Sequence, residues 1–269
     1  MYKVFLLGGV GNNLFQIARA KSLAQVNQKA TLLKISKKHV WIYKLISRHK
    51  IHEDWLDVDK LAAKLDLEIA ETNLLDLIRL GKIFIQKKLG IKTVFNRPLS
   101  EISSDKGIFK KSKIEVGYFQ TTNHVSTLSV YETSVALKII LNVRLLEYEK
   151  LILHLRGGDF SIDSRISYSD IEKAKSICYE KKLEFEIVTD DIKYTQMCLK
   201  SLDIKASIRS SDPRNDFMKM CCSNSLYLSN STFSLWASNV ARLNGANNVY
   251  LPNNWSYTSF FEQLEVKSS

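Results

Sequence analysis

The stretch VFLLGGVGNNLFQIA, residues 4–18, begins with four apolar residues, passes through three closely spaced glycines and ends with apolar residues at helical spacing. This order predicts a short buried strand at Val4–Leu7, a glycine turn and a helix that begins near Asn13. A strand is predicted next at Thr31–Ile35, and a strand–helix–strand order favours a parallel sheet with a crossover connection. The N-terminal part of the chain is therefore predicted to be an α/β unit.

The same order recurs in the second half of the chain. Buried strands are predicted at Leu151–Leu155, Phe185–Val188 and Leu226–Leu228, each followed by a polar loop and a helix. Repeated units of this kind are typical of doubly wound domains, whose ligands bind beyond the carboxyl ends of the strands. Residues 53–92 are less regular, and we predict that they are mostly helical.

The composition is that of a globular protein with an anionic partner. The 269 residues are 45% hydrophobic and include only 10 Gly and 3 Pro, which excludes disordered and collagen-like classes. The length suits two domains, which we expect at residues 1–147 and 148–269. The 39 Lys and Arg exceed the 28 Asp and Glu by 11, so a nucleotide, a nucleic acid or an acidic membrane surface would each be a compatible partner.

Two further features of the composition bear on the location of the protein. Apolar runs are much shorter than the ~20 residues needed to cross a bilayer, and the N-terminus lacks a signal-peptide pattern, so we expect a cytoplasmic protein. The four cysteines form no C-x-x-C pair and have no His cluster beside them. We therefore expect buried free thiols and neither a disulfide framework nor a zinc site.

A strongly basic run extends from Arg79 to Lys113. Ten Lys or Arg stand against Glu101 and Asp105, a net charge of +8 within 35 residues. Such a run is most often a solvated face. The alternative is a surface that holds the protein against anionic lipid headgroups or acidic substrates.

The glycine turn has a functional and a structural interpretation. Glycines at Gly8, Gly9 and Gly11 would let backbone amides approach a phosphate or a sugar at the start of a helix. A dinucleotide fingerprint needs a small residue where Leu14 stands, and no Gly-Lys-Ser/Thr follows for a P-loop. A tight structural turn is the alternative.

A more informative motif, HLRGGD at residues 154–159, ends the predicted strand of the second half. An arginine fixed at a strand end, here Arg156, offers a planar fork of donors to phosphate oxygens, and the two following glycines leave room for a ligand. Asp159 is close enough in sequence to hold the Arg156 side chain in place. The alternative is an ordinary structural Arg–Asp pair, and His154 by itself is more often a core histidine than a base.

Two other strand ends carry polar residues. The segment SNSTFS, residues 229–234, brings hydroxyls and amides to the start of a helix, where they suit a diphosphate or simply cap the helix. Asp190 and Asp191, after Thr189, suit a metal, a ribose hydroxyl or a second helix cap.

Taken in order, these motifs resemble those of the bacterial α-1,2-fucosyltransferases, glycosyltransferase family 11. The resemblance rests on residues 8–16, 117–120, 154–159, 189–191 and 229–237, with Pro252 and Trp255 similar to the closing segment of the family. It implies an α/β protein of the GT-B type, with two Rossmann-like domains facing a cleft. The implied reaction moves L-fucose from GDP-fucose to the 2-hydroxyl of a β-galactosyl acceptor, with inversion.

Two departures from the family pattern stand out. Asn13 occupies a position where the family usually has Gln, which bears on acceptor contacts. Gly157 stands where the family often has a second Arg, which removes one donor to phosphate and leaves Arg156 as the principal one. A catalytically inactive relative is therefore one alternative.

The resemblance and the motifs together assign candidate roles. Arg156 is the predicted catalytic cation, with Asp159 and His154 as candidates for the base. The predicted donor-binding residues are Arg156, Asp190, Asn230, Ser231, Thr232 and Phe233, and the predicted cleft or acceptor residues are Gly11, Asn12, Asn13, Tyr118 and Gln120. Because an arginine can neutralise a diphosphate directly, we expect no metal and no cofactor besides the donor.

The implied partners are GDP-fucose and a β-galactoside, carried by a lipid-linked oligosaccharide of surface polysaccharide or O-antigen synthesis. Peripheral contact with an anionic membrane would give the basic run a role, and no nucleic-acid partner is expected. One rival is a transferase for another nucleotide sugar on the same scaffold. The other is a basic nucleic-acid-binding protein, which the net charge favours but no recognition motif supports.

Overall fold

The computed structural model describes residues 1–46, 55–88, 113–120, 122–157, 166–209, 212–257 and 260. The chain forms two compact units, residues 1–136 and 137–269. Each unit contains one parallel β-sheet with helices in its crossover connections.

Unit 1 contains a four-stranded sheet in the order β3-β2-β1-β4. Its elements are β1 (Tyr2–Phe5), α1 (Val10–Gln25), β2 (Ala30–Lys34), a 3-10 turn (Lys37–His39), α2 (Val40–Ile46), α3 (Val58–Lys64), β3 (Glu68–Glu71), α4 (Leu74–Lys88), β4 (Lys113–Glu115) and α5 (Thr127–Leu141), whose last turns belong to unit 2.

Unit 2 contains a five-stranded sheet in the order β7-β6-β5-β8-β9. Its elements are β5 (Leu146–Leu155), α6 (Tyr168–Lys181), β6 (Glu184–Thr189), α7 (Ile192–Ser201), β7 (Ser207–Arg209), α8 (Pro213–Cys221), β8 (Ser223–Tyr227), α9 (Thr232–Leu243) and β9 (Asn248–Tyr250).

Both sheets have the strand order of a Rossmann fold. Numbered within each unit, the orders are 3-2-1-4 and 3-2-1-4-5, and every pairing is parallel. The order reverses between β1 and β4 in unit 1 and between β5 and β8 in unit 2. In open α/β sheets the crevice at such a switch point is where ligands bind.

The sheets are buried on both faces, as parallel sheets are. Val4 and Phe5 of β1 point to opposite faces and are both fully buried. On one face of the unit 1 sheet, α2 and α4 contribute Tyr43, Leu77 and Leu80 to a core with Phe5. In unit 2, α6 and α7 pack on the β5 face that carries Leu151, Leu153 and Leu155.

The α/β expectation with two Rossmann-like units is confirmed, and most predicted elements are present within a few residues of their predicted ends. That the two units face a cleft stays a prediction. The four cysteines are free, and all but Cys222 are buried, which confirms the expected buried thiols for those three. No helix in the described part of the chain is long and apolar enough to span a bilayer.

One of three further sequence predictions needs correction. Helix α1 begins at Val10 and not near Asn13, because the amides of Asn12 and Asn13 both bond to the Gly9 carbonyl and close a helical turn there. The prediction that residues 53–92 are mostly helical is confirmed for the described part, residues 55–88, where α3 and α4 include most of the residues and β3 pairs with β2 between them. The basic run lies mostly outside the described residues, which omit 89–112.

Candidate active site

The predicted donor residues of unit 2 lie at its switch point. In the parallel pairing of β5 with β8, Leu153 lies opposite Tyr227. The residues that follow, Arg156 on one strand and Ser229 on the other, therefore emerge at the same edge of the sheet. The register of two strands far apart in sequence thus brings two of the three polar strand ends together.

His154 connects these two strand ends. Its Nδ1 lies 2.5 Å from Oγ of Ser234 and 2.8 Å from Oγ of Ser229, and the two hydroxyls are 3.0 Å apart. Its ring stacks on Phe233, with centroids 5.3 Å apart. The end of β5, the β8–α9 loop and the first turn of α9 are thereby joined through one buried imidazole.

The His154 ring is neutral. Its burial and then the positive charge of Arg156 lower the pKa of His154 from 6.5 to about 3. A neutral imidazole presents one donor and one acceptor nitrogen, and Nδ1 contacts two hydroxyls that can each donate or accept. The geometry fits a residue that positions its neighbours.

Arg156 is oriented by a carboxylate on the next strand. Its Nε lies 3.5 Å from Oδ2 of Asp190, which follows β6, and about a quarter of the arginine side chain is exposed. The other oxygen, Oδ1 of Asp190, accepts a hydrogen bond of 2.8 Å from the amide of Gly157. Asp190 therefore forms an ion pair with the guanidinium and anchors the backbone at the end of β5.

Gly157 lies in close contact with the start of α7. A Cβ at this position would lie 2.8 Å from Cβ of Asp191 and 2.9 Å from Cδ1 of Tyr194. Asp191 caps α7, accepting the Tyr194 amide at 3.0 Å, so neither atom belongs to a mobile side-chain tip. The packing of the strand end on α7 leaves no room for a side chain at position 157.

The β8–α9 loop is shaped by its own side chains. Ser231 caps α9 by accepting the Ser234 amide at 3.2 Å. Asn230 exchanges two hydrogen bonds with Ser256, one to the hydroxyl and one from the amide, each 3.0 Å long. Thr232 and Phe233, both partly exposed, form the first turn of the helix.

At the switch point of unit 1, two buried amides support the β1–α1 loop. Gln16 accepts the Leu7 amide at 2.8 Å and donates to the carbonyls of Leu7 and Gly117, which joins the ends of β1 and β4. Asn13 donates to the Leu7 and Gly8 carbonyls. The departure from the family pattern at Asn13 thus concerns the support of this loop.

Asn12, Tyr118 and Gln120 form a small cluster beside Gly8. Gln120 donates from Nε2 to Oδ1 of Asn12 at 2.7 Å. A Cβ on Gly8 would lie 2.8 Å from Nδ2 of Asn12 and 3.4 Å from the Tyr118 ring, and Gly8 has a φ of +87°. Glycine is therefore required at position 8 both for its backbone conformation and for the close approach of Asn12.

The segment that carries Tyr118 and Gln120 is held by a buried ion pair. Arg19 of α1 donates to both carboxylate oxygens of Glu115, at 2.7 and 3.0 Å, and to the His124 carbonyl at 2.6 Å. Its guanidinium also lies over the ring of Phe119, which has a φ of +51°. A left-handed bulky residue costs about 1–3 kcal/mol, and such strain clusters at functional sites.

The structure brings together most of the predicted site residues, in two groups. The unit 2 group holds His154, Arg156, Asp190, Ser231 and Phe233, with Thr232 and Asn230 in the adjacent loop, and the unit 1 group holds Asn12, Tyr118 and Gln120. Gly11 and Asn13 lie buried in the first turn of α1, and Asn13 faces the loop backbone. Asp159 and Gly158 lie outside the described residues. The sequence analysis predicted that Asp159 would hold Arg156, and the described partner is Asp190.

Sequence reasoning missed Gln16, Arg19, Glu115 and Ser234 as parts of the site. Gln16 and Ser234 stand inside the quoted motifs and Glu115 stands two residues before one, and buried polar types there were the available signal. Among the described residues, no group of three or more His, Cys, Asp or Glu is placed to hold a metal ion.

The fold and the site define a class: an α/β protein with two Rossmann-like units, each with polar side chains at its switch point. No protein-family model and no curated protein matches the chain. Solved structures similar to it include POFUT1 in complex with GDP-fucose, at 12% identity and a TM-score of 0.46, with 94% of this chain and 98% of that chain covered.

Two further similar structures are bacterial. The E. coli heptosyltransferase WaaC with ADP-2-deoxy-2-fluoro heptose has 8% identity and a TM-score of 0.43, with 100% and 99% of the two chains covered. A glycosyl transferase of family 9 from Veillonella parvula has 9% identity and a TM-score of 0.41, with 99% and 88% covered. At these identities the function has to be argued from the residues of this chain.

Proposed function

We propose that this protein is an inverting, metal-independent glycosyltransferase of the GT-B type that moves L-fucose from GDP-fucose to the 2-hydroxyl of a β-galactosyl acceptor. The observation that carries the proposal is Arg156. It stands at the end of the central strand of unit 2, at a Rossmann switch point, held by Asp190 and next to the first turn of α9. The order of the family motifs along the chain supports the choice of donor and acceptor.

The chemistry needs fixed positive charge at the leaving group. The acceptor oxygen attacks C1 of fucose, the bond from C1 to the β-phosphate oxygen breaks, and GDP leaves with the electron pair. Donors that are already oriented stabilise such charge at little reorganisation cost. Arg156 supplies a guanidinium, and the start of α9 supplies amides and the positive end of a helix dipole.

His154 acts in this proposal as a positioning residue. A base must accept a proton from the acceptor hydroxyl and must lie within reach of it. The His154 ring is 3% exposed and its Nδ1 contacts two serines. We assign it the task of holding the Arg156 strand end against the start of α9, and Asp159 or the leaving phosphate remains as the proton acceptor.

The polar cluster of unit 1 is assigned to sugar hydroxyls. Gln120 donates a hydrogen bond to Oδ1 of Asn12, and this bond orients the Nδ2 group of the Asn12 side-chain amide. Tyr118 adds an aromatic ring, a common platform for a sugar. Asn230, which is bonded to Ser256, is assigned a supporting role for the loop that would contact the diphosphate.

The test is GDP release from GDP-fucose, with and without a panel of β-galactosides, in the presence of EDTA. Wild type is compared with Arg156→Ala, Arg156→Lys and the matched control Arg209→Ala, an exposed arginine of β7 in the same unit. We expect galactoside-dependent release that survives EDTA. Loss of one oriented donor to developing charge costs about 10²–10³-fold in turnover, so Arg156→Ala should lose at least that much and the control almost nothing.

Four results would change the proposal. Release only with another nucleotide sugar would replace the donor, and activity abolished by EDTA would remove metal independence. No release with any donor, together with no thermal stabilisation by GDP, would overturn the enzymatic assignment. Full activity of Arg156→Ala would refute the role of the arginine.

A further inference from the structure

The outward face of α4 is apolar. Within Leu74–Ile85 the exposed residues are Leu74, Leu75, Ile78, Lys82 and Ile85, and each of the four apolar ones is more than half exposed. At 3.6 residues per turn these five positions fall within an arc of about 100°. Among the residues whose burial the structure describes, every other helix exposes at most two large apolar side chains. An outward stripe of this kind is the reverse of the usual pattern for a surface helix.

The neighbouring helix α2 adds to this stripe. The two helices pack on the same face of the sheet through Tyr43, Leu77 and Leu80. Trp41 of α2 is 64% exposed, although large aromatic residues are generally buried. We name the exposed residues of the 3-10 turn, α2 and α4 the α2–α4 surface.

The charges of the α2–α4 surface are all positive. Its exposed charged side chains among the described residues are Lys37, Lys38, Lys44 and Lys82. The only acid on these elements, Asp76, is buried and paired with Lys3 at 2.8 Å. Exposed apolar residues and exposed lysines therefore share one surface.

We propose that the α2–α4 surface docks on a lipid bilayer that carries anionic headgroups. Helices that lie in the membrane interface combine an apolar face with lysines at its margin, and tryptophan is enriched at that depth. The lysine stems lie along the apolar layer while their ammonium groups reach the headgroups. A contact with a second protein copy is disfavoured, because the centres of protein interfaces are depleted of lysine and four lysines would repel their symmetry mates.

The segment that follows α4 in the sequence is also positively charged. Residues 89–113 contain six Lys or Arg against Glu101 and Asp105, a net charge of +4, although residues 89–112 lie outside the described part and the proposal does not depend on them. The inference is also independent of the proposed reaction. For an enzyme whose acceptor is linked to lipid, the surface would raise the local concentration of acceptor.

The experiment is flotation of the purified full chain with vesicles of phosphatidylcholine, with and without phosphatidylglycerol, at low and high salt. The test variant is Ile78→Ser/Ile85→Ser, and the matched control is Tyr179→Ser/Met197→Ser, two exposed apolar residues of α6 and α7 in unit 2. A third variant, Lys82→Glu, reverses one charge. All five substituted positions are exposed, so folding should be retained, and far-UV circular dichroism with thermal melting checks this.

We expect binding that requires phosphatidylglycerol and weakens with salt. The test variant should lose about tenfold or more in partitioning and the control less than about twofold. Wild type that stays with the aqueous phase under all conditions would overturn the proposal, and so would equal binding by the test variant.

Two measurements separate this proposal from its alternatives. If light scattering shows a wild-type dimer that the test variant converts to monomer, without vesicle binding by either, the surface is an interface between copies and the proposal fails. Vesicles carry neither donor nor acceptor, so flotation can succeed while fucosyl transfer fails, or the reverse. The test variant should keep wild-type GDP release on a soluble galactoside.

Discussion

Replacing His154 by Gln tests whether the imidazole at the strand end stays neutral in the native protein. In the folded chain, burial and the charge of Arg156 lower the pKa of His154 from 6.5 to about 3, whereas in the unfolded chain the ring titrates near its ordinary value. Between these two values the unfolded state binds a proton that the folded state does not. Stability from this residue is therefore fully present above about pH 6.5 and falls as the pH is lowered towards 3.

The size of the stability loss follows from the difference between the two pKa values of His154. Each pH unit between the two pKa values costs about 1.4 kcal/mol, so lowering the pH from about 7.5 to about 5 should cost about 2 kcal/mol through His154 alone. Glutamine can contact the Ser229 and Ser234 hydroxyls but does not titrate. The wild type should therefore lose about 2 kcal/mol more than His154→Gln over this interval.

The assay is urea denaturation of both proteins at the two pH values, with the difference between their losses as the readout. Other groups that titrate cancel in this difference, provided that both proteins unfold with the same denaturant dependence. Equal losses would mean that the ring takes up its proton in the native state. That result would refute the neutral, positioning role and return His154 to the candidates for the catalytic base.

Two other predictions concern groups that support the site, and urea denaturation checks both. Gly157→Ala places a Cβ 2.8 Å from Cβ of Asp191 and should lower the free energy of unfolding by about 1–3 kcal/mol, whereas the control Ser201→Ala at the exposed end of α7 should change it little. A loss below about 0.5 kcal/mol for Gly157→Ala would contradict the crowding at this position. Glu115→Gln leaves the buried Arg19 charge unpaired and should lower the free energy of unfolding by about 3–5 kcal/mol, whereas the control Glu132→Gln, in the more exposed pair with Lys21, should lower it by less than about 1 kcal/mol. Similar losses for the two variants would show that Arg19 is solvated.

The sequence predicted the strands that are buried on both faces. Val4–Leu7 is an unbroken apolar run and Leu151–Leu155 is interrupted only by the buried His154, a pattern typical of central strands of parallel sheets. The strands that the sequence analysis missed are short. β3, β4 and β9 contain only three or four residues and no apolar run, and they exist because a neighbouring strand offers a parallel partner. Such strands depend on tertiary pairing, which local pattern does not contain.

The candidate site likewise has residues that the sequence predicted and contacts that it did not. Arg156 and Ser231 were predictable because Arg156 directly follows one recognisable strand, Ser231 lies in the loop after another, and parallel strands end at the same edge. The contact of His154 with Ser234 spans 80 residues and that of Arg19 with Glu115 spans 96. These partnerships depend on the register of the sheet and on the rotation of a helix, so no motif spacing reveals them. Asp190, the described partner of Arg156, follows a different strand and is hidden from motif spacing for the same reason, while the predicted partner Asp159 lies outside the described residues.

Asp190 explains why a single arginine stands at the end of β5. Its two oxygens bind the Arg156 guanidinium and the Gly157 amide, which draws the strand end onto the first turn of α7. That approach leaves no space for a Cβ at position 157, so the second arginine common in the resembled family would collide with Asp191 and Tyr194. One carboxylate thus both orients the available cation and excludes another. If a diphosphate binds here, removing the Arg156 side chain should weaken its binding far more than removing one arginine from a site that has two. Arg156→Lys keeps the positive charge but loses the planar fork of donors, so it should retain only part of the affinity for the diphosphate.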